Sequence, residues 1–220
     1  MKKLFIFGLG TLAELAQYYI LHDMNLPLSG FVVDDLYFTN EMMGSYPVYN
    51  WSEFIKKFPP EHVKFFCAIG YKSFKNRENL FLKIRSLGYE CINVVSKTVY
   101  IAKNALIGEN LFLMPGVVIE PNVKIGNNNI FWSNTTVCHD VVIGNNNFIA
   151  SNTTIGGFSS IGNSNFIGFS SVVLQNTNIG NNNLLAAQSL IIEDIPGNVL
   201  VRGSPAKYVK KICPDVGIIF

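Results

Sequence analysis

From Ile101 to Ile191 the chain places an apolar residue at every sixth position without exception. The series runs Ile101, Ile107, Leu113, Ile119, Ile125, Phe131, Val137, Ile143, Ile149, Ile155, Ile161, Ile167, Val173, Ile179, Leu185, Ile191. Within it an Ile-Gly pair returns every eighteen residues, at Gly108, Gly126, Gly144, Gly162 and Gly180. Asn-rich triplets follow in register at Asn127–Asn129, Asn145–Asn147, Asn163-Ser164-Asn165 and Asn181–Asn183. Neither a 3.6-residue helix nor an alternating strand has this period. Each six-residue unit reads as a short strand and a corner, with its apolar residue pointing inward. Three units close one coil, so residues eighteen apart stack at about 4.8 Å, the spacing of paired strands. Gly and Asn at the corners read as sites of positive φ, and stacked Asn side chains as a hydrogen-bonded ladder. One coil cannot bury its own apolar face, so about five coils must fold as a block. A disordered Asn-rich tract would lack the unbroken inward series.

With 220 residues, 49% of them hydrophobic and 15% charged, the chain can bury a large core. A net charge of +2 with no basic stripe gives no sign of a nucleic-acid partner. Cys67, Cys91, Cys138 and Cys213 show neither metal-type spacing nor a disulfide framework, which points to a reduced, cytoplasmic protein. No stretch is long and apolar enough to span a membrane. The start, Met1-Lys2-Lys3 and then Leu4 to Phe7, has the outline of a signal peptide, but Gly8, Gly10 and Glu14 interrupt it.

Those residues read better as the first buried strand of an α/β domain. Lys3 to Phe7 is the strand. Gly8-Leu9-Gly10-Thr11-Leu12-Ala13, a G-x-G-x-x-A turn, leads into a helix reaching about Met24. Such glycines allow a tight turn and a close approach of backbone to phosphate at a helix N-terminus. A second strand, Ser29 to Val33, ends in Asp34-Asp35, placed to bond a ribose or base. Trp51 to Lys57 is a short helix, Val63 to Ile69 a third strand, Asn76 to Leu87 a helix, and Cys91 to Val95 a fourth strand. The alternation predicts a small parallel sheet. Four strands fall short of the six-stranded dinucleotide unit, so a mononucleotide or nucleotide-sugar head group fits better.

The solenoid holds one histidine, His139, in Val137-Cys138-His139-Asp140. With Val137 inward, His139 falls toward a corner and reaches the outer surface. An imidazole is readily poised as a base near neutral pH, and Asp140 is placed to hold its cationic form. Hexapeptide-repeat carbonic anhydrases need three histidines for their metal, which one histidine cannot supply, so no catalytic zinc of that kind is expected.

Over most of its length the chain resembles the bacterial sugar acyltransferases of the PglD/NeuD type. Four features carry the likeness: Phe7-Gly8-Leu9-Gly10, Phe31-Val32-Val33-Asp34-Asp35, the hexapeptide series with His139-Asp140, and the closing Gly203-Ser204-Pro205-Ala206-Lys207. The resemblance implies a Rossmann-like nucleotide-sugar domain over 1–98, a left-handed parallel β-helix over 99–196, and a C-terminal segment over 197–220 that lines a CoA cleft. It also implies a homotrimer with sites between subunits. It implies acetyl-CoA-dependent transfer to a sugar amine, at C4 of a 4-amino-4,6-dideoxyhexose. His139 then serves as general base with Asp140 as its acidic partner. Gly157, eighteen residues on, offers its N–H to the thioester oxygen. Arg202, Gly203, Pro205, Ala206 and Lys207 face CoA, the two cations suiting its phosphates, and Gly8, Gly10, Asp34 and Asp35 hold the nucleotide.

Two departures stand out. Relatives often carry a second histidine nine residues after the base, where this chain has Phe148, so that contact is either absent or supplied by another group such as Asn147 or a neighbouring subunit. The turn is Gly-Leu-Gly-Thr-Leu-Ala rather than the Gly-Ala-Ser-Gly-His-Gly type. Two other functions compete: O-acetylation of a sialic acid or glycan hydroxyl, and a non-catalytic nucleotide-sugar-binding protein.

Overall fold

The structure is a computed structural model that describes residues 2–70 and 73–213. Met1 of the leader-like start and residues 214–220 of the C-terminal segment lie outside the described residues. The chain divides into two compact units, Met1–Gly70 with Asn76–Val95, and Tyr71–Lys75 with Ser96–Phe220.

In the first unit, β1 (Lys3–Phe7) leads into α1 (Thr11–His22), and β2 (Gly30–Val33) is followed by the short strands β3 (Met42–Met43) and β4 (Tyr46–Asn50). Then come α2 (Trp51–Lys57), β5 (Val63–Cys67), α3 (Phe74–Ser86) and β6 (Glu90–Cys91). The sheet runs β3-β4-β2-β1-β5-β6. All pairs are parallel except β3 with β4. The expected small parallel sheet is present, and two strands not foreseen extend it: β4, parallel to β2, and β3, antiparallel to β4 at the edge. Pro47 conceals this pair: a proline donates no ladder hydrogen bond and argues against a strand. The strand Cys91 to Val95 is also split, into Glu90–Cys91 and Val94–Val95.

Aromatic side chains dominate the core of this unit. Phe5, Phe7, Trp51, Phe54, Phe65, Phe81 and Tyr89 are buried together with Ile84 and Leu80. The Phe5 and Phe54 rings meet edge-on at 4.8 Å, and the Tyr89 hydroxyl donates to the Phe58 carbonyl at 2.7 Å, so its polar atom enters the core satisfied. Asn50 caps α2, its side chain accepting from the Glu53 N–H.

The second unit is the solenoid that the six-residue period demands. One face stacks Phe112–Leu113, Ile130–Phe131, Phe148–Ile149, Phe166–Ile167 and Leu184–Leu185. A second stacks Tyr100–Ile101, Val118–Ile119, Thr136–Val137, Thr154–Ile155, Val172–Val173 and Leu190–Ile191. The third stacks Leu106–Ile107, Lys124–Ile125, Val142–Ile143, Ser160–Ile161 and Asn178–Ile179. Every pairing is parallel with an offset of eighteen residues. This is a left-handed parallel β-helix. From Leu113 to Ile191 each residue of the inward series is buried, and only Ile101 and Ile107, in the first coil, are partly exposed.

Corner chemistry differs from expectation in one respect. The residues with positive φ recur every six, at Asn110, Gly116, Asn122, Asn128, Asn134, Asp140 and onward to Gln188, whereas the glycines of the Ile-Gly pairs keep ordinary φ. Those glycines are needed for close approach instead. A Cβ on Gly126 would collide with the Asn145 side-chain oxygen and lie 2.9 Å from the Gly144 carbonyl oxygen one coil on. That Asn145 oxygen accepts the Asn127 N–H at 2.7 Å, and Asn163 repeats the bond to Asn145. Fully buried Asn129, Asn147, Asn165 and Asn183 form a parallel ladder, each side-chain oxygen accepting the N–H of the residue one coil later. Gly126→Ala is thus expected to cost about 1–3 kcal/mol by overpacking. Thermal denaturation should show a Tm fall of about 2–4 °C for each kcal/mol.

After the last coil, Val199–Arg202 joins the first face beside Leu184–Leu185, and Lys207–Lys211 folds back antiparallel on it.

Candidate active site

Val137 points into the solenoid and ends its strand, so the chain turns at Cys138 and presents His139 at the corner between the second and third faces. The coil before it fixes the turn. Glu120 Oε2 accepts the His139 N–H at 2.8 Å, and the Pro121 carbonyl accepts the Asp140 N–H at 3.1 Å. Asp140 takes a left-handed backbone, φ 61°, which aspartate tolerates. Its carboxylate thereby folds back to the imidazole, Oδ2 lying 3.0 Å from His139 Nδ1.

A carboxylate at that distance accepts a proton held on Nδ1, which leaves the Nε2 lone pair free to take one. The other oxygen, Asp140 Oδ1, accepts from Asn122 Nδ2 at 3.1 Å, and Asn122 Oδ1 in turn accepts from Asn104 Nδ2 at 2.6 Å. An asparagine ladder therefore ends on the carboxylate that orients the imidazole. The His139 side chain is 50% exposed, open enough to meet a substrate. A depression of about 340 Å3, lined by Asn104, Leu106, Asn122, Lys124, Asp140 and Val142, runs beside it.

Gly157 stands one coil above His139, and a Cβ there would lie 2.8 Å from Cε1 and 3.0 Å from Nε2 of the imidazole. The missing side chain is what gives the ring its place. Gly157 is buried, and its N–H meets no acceptor among the described residues. The imidazole thus lies against the side-chain-free face of a glycine whose backbone N–H makes no hydrogen bond among the described residues. Cys138 is no rival nucleophile: burial, and then the Glu120 carboxylate, push its thiol up, so it stays protonated near neutral pH.

The structure does not bring every expected residue to this corner. Phe148 lies on the first face, buried and stacked on Phe166 with ring centroids 5.1 Å apart. Asn147, considered as a replacement for a second histidine, is wholly buried, its Nδ2 donating to the Gly162 carbonyl at 2.9 Å. It is committed to the ladder, which corrects that expectation. Gly203 to Lys207 lies at the far end of the second face, where Gly203 O accepts from Leu190 N and Ala206 N donates to Leu190 O. Within one chain the strands Thr154–Ile155, Val172–Val173 and Leu190–Ile191 separate it from the strand that precedes His139. Arg202 and Lys207 sit directly opposite each other across the hairpin, both exposed. Like charges so paired repel, and an anion between them removes the penalty. Ala206 and Lys207 also line a depression of about 210 Å3 with Ile192, Glu193 and Tyr208.

In the first unit, Gly8 has φ 122°, and a Cβ there would lie 2.9 Å from the Ala68 carbonyl oxygen. Gly10 precedes α1 as its cap, and the space where its Cβ would be is open to 4 Å. Asp34 forms an exposed ion pair with Lys83 at 3.0 Å. Asp35 is engaged otherwise than expected. One of its oxygens accepts the Ser52 N–H at 2.9 Å and the other takes the Ser52 hydroxyl. Those bonds, with Lys83 nearby, hold its carboxyl below the usual range. Asp35 thus secures the start of α2, and Asp34 is the acid left facing solvent.

Glu120, Asn122 and Phe158 were missed as parts of the site. Each stands eighteen or nineteen residues from the His139-Asp140 pair, so the repeat itself was the available signal. Phe158 packs its ring edge-on against the imidazole, centroids 5.1 Å apart at 83°.

Residues 104–139 match the family model described as bacterial transferase hexapeptide (six repeats). No curated protein is significantly similar to the chain in sequence. Among solved structures, the fold is similar to that of PerB from Caulobacter crescentus in complex with CoA and GDP-perosamine. That pair has 23% identity and a TM-score of 0.84, covering 96% of this chain and 98% of that one. It is also similar to the acetyltransferase domain of PglB from Neisseria gonorrhoeae, with 21% identity, TM-score 0.84, and coverage of 95% and 100%. WeeI from Acinetobacter baumannii matches with 22% identity, TM-score 0.77, and coverage of 95% and 100%. The repeat, the stacked faces and these matches converge: the chain carries hexapeptide repeats wound as a left-handed β-helix and has the fold of the PerB, PglB and WeeI structures along nearly its whole length.

Proposed function

We propose that the protein is an acetyl-CoA-dependent N-acetyltransferase acting on a nucleotide-linked amino-dideoxy sugar. One observation carries this reading: the lone solenoid histidine has Nδ1 held by Asp140, and its imidazole lies against the side-chain-free face of Gly157, whose N–H makes no hydrogen bond among the described residues. The fold adds support, since PerB, 23% identical over 96% of this chain, is a structure holding CoA and GDP-perosamine.

The amine attacks the thioester carbonyl directly as His139 Nε2 takes its proton. Asp140 stabilises the imidazolium, and the Gly157 N–H stabilises the oxyanion. Collapse expels CoA as its thiolate, which takes up a proton from the imidazolium. The protonated Cys138 favours this direct route over an acyl-cysteine. Arg202 and Lys207 attract the CoA phosphates, while Gly8, Gly10 and Asp34 receive the nucleotide. Because one chain separates Gly203–Lys207 from His139, we further propose a homotrimer in which neighbouring copies complete each CoA cleft. Such an enzyme works in the cytoplasm, where acetyl-CoA and nucleotide sugars are made.

Incubating the protein with acetyl-CoA and either a 4-amino-4,6-dideoxyhexose nucleotide or its 4-hydroxy counterpart tests the reading, with release of free thiol as the measurement. Turnover of the amine alone is expected. Turnover of the hydroxyl sugar would redirect the proposal to O-acetylation, and no thiol release with either, together with no CoA binding by calorimetry, would leave a nucleotide-sugar-binding protein.

A further inference from the structure

Among the described residues, the non-glycine positions with positive φ are Asn, Asp, Ser or Gln, with one exception, Phe158 at φ 62°. Short polar side chains tolerate that backbone by bonding locally, whereas a bulky residue there is strained. The Phe158 ring is also 60% exposed, as the Phe169 ring is at 55%, whereas the phenylalanines of the first face are buried. Its place in the stack makes the anomaly sharper. Asn122, Asp140 and Asn176 occupy the same corner in the adjoining coils, where Asn122 and Asp140 are bonded to each other. An asparagine at 158 would continue that pattern without strain. The phenylalanine instead lays its ring edge-on against His139, 5.1 Å between centroids, and its N–H donates to the His139 carbonyl at 3.2 Å.

We propose that Phe158 is a positioning residue, whose ring walls the His139 imidazole into one orientation and screens that side from water. Asp140 fixes Nδ1 within the ring plane, but a single hydrogen bond leaves the imidazole free to swing about it. Gly157 opens the space above, and Phe158 closes it on one side. Strain of this kind persists where surrounding structure over-determines it, and it clusters at sites where pre-organisation matters. The inference rests on reading His139 as the base, so its test includes a measurement independent of turnover.

Phe158→Asn removes the wall and relieves the backbone together. Its Tm is expected to rise by about 2–4 °C, while kcat falls about tenfold or more and KM for acetyl-CoA stays within about twofold. Carbethoxylation of His139 by diethyl pyrocarbonate, mapped by mass spectrometry against His22 and His62, should become several-fold faster. Phe158→Tyr keeps the ring and should restore both kcat and the slow modification. A Phe158→Asn protein that is more stable yet has unaltered kcat and modification rate would overturn the proposal. So would a change of assembly size by light scattering, which would make the ring an anchor between copies. If no substrate is turned over, the modification rates alone decide.

Discussion

Replacement of His139 by alanine is expected to lower kcat by about 10²–10⁴-fold, the usual worth of a general base, with thermal stability nearly unchanged. The stability expectation follows from placement: the side chain is half exposed, and it lies against Asp140, Gly157 and the exposed ring of Phe158. His139→Asn fills similar space with no basic nitrogen and should lose a comparable factor, which separates loss of the base from loss of volume. Steady-state kinetics at saturating substrates is the measurement. Since the imidazole acts on the transition state, kcat and kcat/KM should fall together. A kcat within a few-fold of the parent in both variants would remove His139 from the chemistry and point to a base carried by the substrate.

Gly157→Ala should have the second largest effect, and by a different route. Its methyl group would sit 2.8 Å from Cε1 and 3.0 Å from Nε2 of His139, closer than carbon and nitrogen pack. The two nearest obstacles are the end of a side chain, and the nearest backbone atom, the His139 carbonyl oxygen, is 3.2 Å away, so the imidazole yields first and the coil survives. Displacing a reacting group by about 1 Å can cost about 10² in rate, and the methyl group also intrudes where the thioester oxygen must approach the N–H. We expect kcat to fall by about that factor, with a Tm close to the parent's. Gly126→Ala, whose obstacle is the Gly144 backbone, should behave the opposite way, losing stability first. Comparing the two separates a glycine that makes room for chemistry from one that makes room for a neighbouring coil. Full activity in Gly157→Ala would mean that the acyl group is held elsewhere.

Much of this architecture was legible before any coordinates, for a reason particular to repeats. An inward residue every six positions leaves the chain one way to bury them, and the eighteen-residue pairing Ile119↔Val137 or Ile143↔Ile161 is that arithmetic made physical. The same arithmetic set Gly157 over His139. Harder to read was whatever depends on contacts without a period. The β3–β4 hairpin is concealed by Pro47, and Gly30 needs to be glycine because a Cβ there would lie 2.6 Å from the Pro47 carbonyl oxygen. Asp34 and Asp35 look equivalent in sequence, yet one reaches Lys83 and the other Ser52. Phe158 was overlooked because pattern reading treats a corner as a place for polar residues, and a deviation there becomes visible only once the ring is found against the imidazole.

The asparagine column that ends on Asp140 has a consequence for how such a protein can vary. Its dyad draws on three consecutive storeys: Glu120 and Asn122 beneath, the histidine's own level, and Gly157 above. Whole turns added or removed beyond Val173 would shift the roof without disturbing that trio, whereas a single residue gained or lost between Asn122 and Gly157 would rotate every later side chain out of phase. A change of whole turns at the upper end therefore keeps the dyad intact while resetting its distance from Arg202 and Lys207, and the short span around the imidazole is where the molecule tolerates no change of count.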